Sequence, residues 1–330
     1  MAKRQRQRDE LHDAALTGDT IVIARLIAEG ADIDAHGQNN TVALFIAMEN
    51  SQEDAAMLLL EHGCDINVRY MAKNDRLHTK FADGRTPLIW AAAQGLDRVV
   101  RKLLQLGQDV NLQTTSGRYA LQEAIYRNRV STAKILLEES KPWLEMTDDE
   151  NWTALHQCAD QGVWEIAQML IEKGIDLEAR TSERNIWGWR KYIRATAVLV
   201  AIETPHTKMV EVLCEAGADL TVENADHEMP IHMAVRMGNL GMVKAILQQG
   251  VSANIYTIRM QTPLMVAIEH ENIEIAEYLV NAFPASNDFV LDNEYGPREM
   301  VKEKARARGV NVAVRLAMQR LVLGSLVEEV

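Results

Sequence analysis

Three histidines are the first residues of this chain whose type invites a catalytic or metal-binding reading. His12, His156 and His232 each follow a branched apolar residue, in Leu11-His12, Leu155-His156 and Ile231-His232. A neutral imidazole can act as general base or metal ligand. The equivalent slot elsewhere holds Phe45, Ile89, Gln122, Leu199 and Met265, so the slot itself imposes no chemistry. Cys64, Cys158 and Cys214 are scattered without metal-ligand spacing. Asp32, Asp65, Asp109, Asp176 and Asp219 recur with a fixed period after short glycine-marked breaks, which predicts turn chemistry rather than acid/base pairs. The chain contains no H-E-x-x-H, C-x-x-C, G-x-G-x-x-G or phosphate-loop pattern. No cofactor or metal is expected.

Binding chemistry is better represented. The segment 181–194, TSERNIWGWRKYIR, sets Trp187, Trp189 and Tyr192 among Arg184, Arg190, Lys191 and Arg194. Aromatics make up 5% of the chain, so this segment is a compositional outlier. Aromatic and arginine side chains dominate binding energy at interfaces. The same residues also suit stacking on an anionic ligand, or burial against the protein's own surface. A second insertion, 68–82, carries Arg69, Lys73, Arg76, His78 and Lys80.

The elements that must position these residues repeat along the chain. The clearest unit runs from Asp83 to Gln113. Thr86-Pro87 starts a helix, with Thr as cap and Pro at a position whose N–H needs no partner. Leu88, Ala91 and Ala92 follow at helical spacing, and Gly95 breaks the chain. Val99, Val100, Leu103 and Leu104 then mark the apolar face of a second helix, which Gly107 stops. Related units begin near Asp9, Gly37, Gly117, Asn151, Ala195, His227 and Met260. The pattern resembles the ankyrin repeat, T-P-L-H-x-A followed by G-x-x-x-x-V-x-x-L-L-x-x-G-A-D.

The resemblance implies an all-α solenoid of about eight helix-turn-helix repeats with β-hairpin tips and a C-terminal helical cap. It divides the chain into a basic arm, 1–8, a repeat array, 9–291, interrupted at 68–82 and 181–194, and a terminal cap, 292–330. It assigns the repeat histidines a structural role, bonding backbone between neighbouring loops. Trp143 is expected to pack against the next unit, and Leu104 to fill the core between the third and fourth repeats. The positions the family leaves free, beside the tips on the concave groove, become the binding candidates. Here they include Arg85, Arg118, Tyr126, Arg127, Trp152, Asp160 and Glu203, joined by Trp187, Trp189 and Arg190 of the insertion.

A net charge of −12 argues against a general nucleic-acid binder and favours a basic partner. No apolar run approaches the ~20 residues of a membrane span. The odd number of cysteines fits a reducing, cytoplasmic compartment, and the basic arm leaves a nuclear-import reading open. The leading expectation is a module that binds a protein or peptide. The alternatives are an enzyme using the groove, with Tyr126, Asp160, Glu203 and His270 as candidate polar groups, and an anionic-ligand site on the Trp/Arg insertion.

Overall fold

The computed structural model describes residues 2–37, 41–70, 84–183 and 192–282. They belong to two compact units, Met1–Ile175 and Asp176–Val330. In the first unit, helices pair as α1 (Ala2–Thr17) with α2 (Thr20–Ala28), α3 (Ala43–Glu49) with α4 (Glu53–Glu61), and α5 (Pro87–Gln94) with α6 (Asp97–Gln105). The pairs α7 (Ala120–Tyr126) with α8 (Val130–Glu139) and α9 (Ala154–Gln161) with α10 (Trp164–Glu172) complete it. The first helices pack in the order α1, α3, α5, α7, α9, and the second helices form a parallel layer. The second unit repeats the scheme with α11 (Ala197–Glu203), α12 (Thr207–Glu215), α13 (Pro230–Arg236), α14 (Leu240–Gln248), α15 (Pro263–Glu269) and α16 (Ile273–Ala282).

The local signals act as their chemistry dictates. Thr86 Oγ1 accepts the Ile89 N–H at 3.3 Å, and Pro87 opens α5. Thr262 caps α15 in the same way through the Met265 N–H. Gly95 leaves α5 in the left-handed conformation, φ 80°. Ser51, Asn128 and Glu271 occupy the matching turn with φ of 56°, 55° and 60°, so these three repeats keep the turn geometry without glycine, whereas Pro205 in the sixth does not. Each exit aspartate accepts the backbone N–H two residues on, as for Asp32 with Asp34, Asp109 with Asn111 and Asp219 with Thr221.

The tips are hairpins without strands. The Thr114 N–H donates to the Arg118 carbonyl, Asp148 to Trp152, Asn224 to Glu228 and Thr257 to Gln261. A residue at positive φ precedes each acceptor: Gly117, Asn151, His227 and Met260. With so few ladder bonds per tip, no strand forms among the described residues, in contrast to the expected β-hairpins. The insertions enter at this same hairpin position. Tyr70 N–H donates to the Arg85 carbonyl, and Thr181 N–H to that of Ala195.

Two expectations are corrected. Leu103 is fully buried while Leu104 is half-buried, since neighbouring positions on a helix point about 100° apart. The Trp143 side chain is 69% exposed, although its backbone N–H donates to Asn111 Oδ1 at 2.8 Å. Residues 2–8 of the basic arm form the start of α1, with Lys3, Arg4 and Arg6 exposed. The expected cap, 292–330, lies outside the described residues.

Candidate binding surface

Helix α7 gathers the charged groups of the first unit. Its Glu123 is fully buried and accepts from Arg85 Nη2 at 3.2 Å through Oε2 and from Arg118 Nη1 at 3.2 Å through Oε1. Arg85, a binding candidate by position, is itself buried. Burying a guanidinium is tolerated only where a carboxylate and hydrogen bonds meet it. Arg85 is therefore a structural residue that fixes Arg118 through a shared partner.

Arg118 is partly exposed and lies over the ring of Tyr126, with Cζ 4.8 Å from the centroid. Arg127 Cζ stands 5.7 Å from the same centroid. Tyr126 is 41% exposed, so it is an aromatic surface with two guanidinium groups close to its ring. Three sequence candidates thus meet at one place, and Arg85 reaches it through Glu123. One repeat on, Trp152 is half-buried with its ring 6.0 Å from that of His156. Asp160 accepts from Gln161 Nε2 at 2.8 Å.

Sequence reasoning missed Glu123. Its slot is the x of T-P-L-H-x-A, filled by Asp13, Ile46, Trp90, Gln157, Val200, Met233 and Val266 in the other repeats. A carboxylate in a mostly apolar slot, with arginines before the helix cap of both its own and the preceding repeat, was the available signal. Trp90, in the same slot, joins Phe45 and Tyr70 in a cluster with centroids 4.6 to 5.8 Å apart. That cluster roots the first end of the 68–82 insertion. Arg69 reinforces it, donating from Nη1 to the Gly84 and Gln113 carbonyls at 2.7 and 2.8 Å.

In the second unit, Glu203 accepts from Arg236 Nη2 at 3.0 Å, and Glu228 from Arg236 Nε at 3.1 Å. Burial works against the Arg236 charge, yet Glu228 and Glu203 hold its pKa above the ordinary value. Trp187, Trp189 and Arg190 lie outside the described residues.

The groups that invited catalysis are otherwise engaged. His12 Nε2 meets the Ala35 carbonyl at 3.0 Å, and His232 Nε2 that of Ile255 at 3.2 Å. His156 Nδ1 lies 2.9 Å from the Thr153 hydroxyl, inside the cap of α9. Gln122 uses the histidine slot to reach the Trp152 carbonyl at 2.5 Å. Burial pushes the thiol pKa of Cys64 and Cys214 up to about 12, and that of Cys158 further. Such thiols carry little thiolate at neutral pH. Among the described residues, no cluster of His, Cys, Asp or Glu could hold a metal, and no helix is long and apolar enough to cross a membrane.

Stacked helix pairs, left-handed turns at a fixed period and hairpin-closed tips define a helical repeat protein. The profile described as ankyrin repeats (3 copies) matches residues 11–114, 95–181 and 198–289, and the chain belongs to the ankyrin repeat family, as an ankyrin repeat solenoid. It is similar to Rabankyrin-5 of Mus musculus, 26% identical over 219 residues, which cover 66% of this chain and 18% of that protein. It is also similar to Ankyrin repeat and SOCS box protein 3 of Homo sapiens, 29% identical over 200 residues, covering 59% of this chain and 36% of that one. The Ankyrin repeat and KH domain-containing protein mask-1 of Caenorhabditis elegans is 26% identical over 193 residues, covering 58% and 7%. The chain thus spans well under half the length of these relatives. Ankyrin repeats are a general protein–protein interaction module.

Proposed function

We propose that this chain binds a protein or peptide in the concave groove and along the hairpin tips, as an adaptor, inhibitor, immunity or effector protein. The observation that carries this reading is Tyr126, exposed on α7 with Arg118 and Arg127 on its ring. Aromatic and arginine side chains held in place before binding give affinity at low ordering cost. In the first unit Trp152 and Asp160 extend the proposed surface; in the second unit Glu203 is a candidate contact, with Trp187, Trp189 and Arg190 of the insertion whose ends Thr181 and Ala195 join. The excess of acid around Arg236, with a net charge of −12, favours basic character in the part of the partner facing the second unit. We place the chain in the cytoplasm.

The test is affinity capture from native cell extract, identification by mass spectrometry, and calorimetry on the recovered partner. Tyr126→Ala, and Trp187→Ala with Trp189→Ala, should each weaken binding by about 2 kcal/mol or more, the scale of a hot spot, while melting temperature holds. Unchanged affinity in both variants would remove these surfaces from the binding reading.

A further inference from the structure

The charge balance around α7 differs from that of the whole chain. Arg85 and Arg118 converge there on one buried carboxylate, Glu123, and the Arg127 guanidinium lies near the neighbouring Tyr126 ring. Burial raises the Asp148 carboxyl above its ordinary value although Arg118 is near, and its Oδ1 already accepts the Glu150 and Trp152 N–H groups at 3.0 and 2.9 Å within its own tip. Asp160, one repeat on, accepts from Gln161. Two guanidinium groups lie within 6 Å of the Tyr126 centroid, at 4.8 and 5.7 Å. A ligand lysine or arginine brought to that ring would meet cations where it needs an open π face. A carboxylate would meet Arg118, whose guanidinium is restrained both by Glu123 and by the ring while 31% of the side chain stays exposed. Restraint before binding removes much of the entropy cost of ordering a long side chain.

We infer that the Arg118–Tyr126–Arg127 face is an acidic-peptide site, in which an aspartate or glutamate side chain pairs with the guanidinium groups and a neighbouring apolar residue covers the exposed part of Tyr126. This rests on the peptide-binding reading above and fixes the charge of one anchor, whatever the sign of the rest of the partner.

A random-peptide display library selected on the immobilised full chain tests it. Selected peptides are synthesised and titrated against the parent, Arg127→Gln, Arg118→Gln and Arg118→Lys, with melting temperature followed in each. The Arg127 N–H donates to the Glu123 carbonyl at 3.1 Å, a backbone bond that Arg127→Gln keeps, so this variant remains informative if Arg118→Gln melts early. Peptides that lose about tenfold or more in affinity with Arg127→Gln should carry Asp or Glu beside an apolar residue. Their binding should weaken with added salt, and Arg118→Lys should recover only part of the loss seen with Arg118→Gln. Arginine-sensitive peptides that are neutral or basic would overturn the acidic anchor and leave peptide binding standing. Selected peptides indifferent to both arginines would overturn the site. Failure to select any peptide would overturn the site together with the peptide-binding reading.

Discussion

Arg85 and Glu123, 38 residues apart, form an ion pair whose side chains are 4% and 0% exposed. The pair crosses from the tip of one repeat to the first helix of the next, so within the first unit it ties two successive repeats by charge as well as by apolar packing. Removing one member strands the other in the interior. Glu123→Ala should therefore cost about 3–5 kcal/mol in urea denaturation, since it leaves Arg85 uncompensated. Arg85→Met with Glu123→Leu should stay within about 2 kcal/mol of the parent, because the desolvation penalty vanishes with the charges. A double variant no more stable than Glu123→Ala would show that the pair itself, and not its broken form, sets the cost.

The core between repeats gives a second test. Leu103→Ala should cost about 2–5 kcal/mol by cavity formation, and Leu104→Ala clearly less, since Leu104 is only half-buried. Equal losses would place both side chains between the layers.

These two cases mark what could be read from the sequence. Thr86-Pro87, Gly95 and the Gly217-Ala218-Asp219 exit act within a single repeat, so their local chemistry fixed helix starts, turns and the family. The burial of Arg85 depends on Glu123 in another repeat, and no period connects them. Leu103 and Leu104 are neighbours on an apolar stripe, and their different burial depends on how α6 packs against its neighbours, which the stripe alone does not specify. Trp143, at an exit that lacks the usual glycine, reads as a residue packing on the next unit, yet its side chain is exposed. Tyr126, Arg118 and Arg127 were legible as candidates, whereas their stacking was not.

Turn geometry supplies a third prediction. Ser51 is exposed and holds φ at 56°, where a side chain is strained and glycine is not. Ser51→Gly should gain about 0.5–1 kcal/mol, the relief of strain less the added entropy of the unfolded chain. Chemical denaturation should register the gain without a change in slope. A loss of stability would mean that the Ser51 side chain contributes more than its backbone costs.

Stability should also depend on pH near neutrality. Burial holds the pKa of His12 and His232 below the ordinary 6.5, with the Ala35 and Ile255 carbonyls opposing it. The unfolded chain then binds more protons than the folded one once pH falls below about 6.5. Stability is therefore full above that value and declines as pH drops toward the lowered folded values. Asp34 and Asp148, raised by burial, act with the opposite sign, but in the carboxylate range at lower pH. Melting temperature should fall between pH 7 and 5.5, and His232→Gln should flatten the decline. An unchanged slope in that variant would mean that His232 stays neutral in both states or charged in both.

The thiols allow the packing to be read directly. Cys64, Cys158 and Cys214 are all buried, and Cys64 and Cys214 have pKa values pushed up to about 12. At pH 8 a thiol of pKa about 12 is ionised to about one part in ten thousand, against roughly one in four for a free cysteine. A disulfide-exchange reagent should therefore modify the native chain slowly, and all three cysteines promptly in concentrated urea. Cys64 and Cys214 sit at the ends of second helices beside repeat exits, while Cys158 lies inside α9 between the layers. Local opening of an exit exposes the first two, whereas reaching Cys158 requires α9 to separate from its neighbours. The expected order is Cys64 and Cys214 before Cys158, followed by mass spectrometry of timed samples. Prompt labelling of Cys158 in the native chain would contradict the close packing of α9 on which the first unit depends.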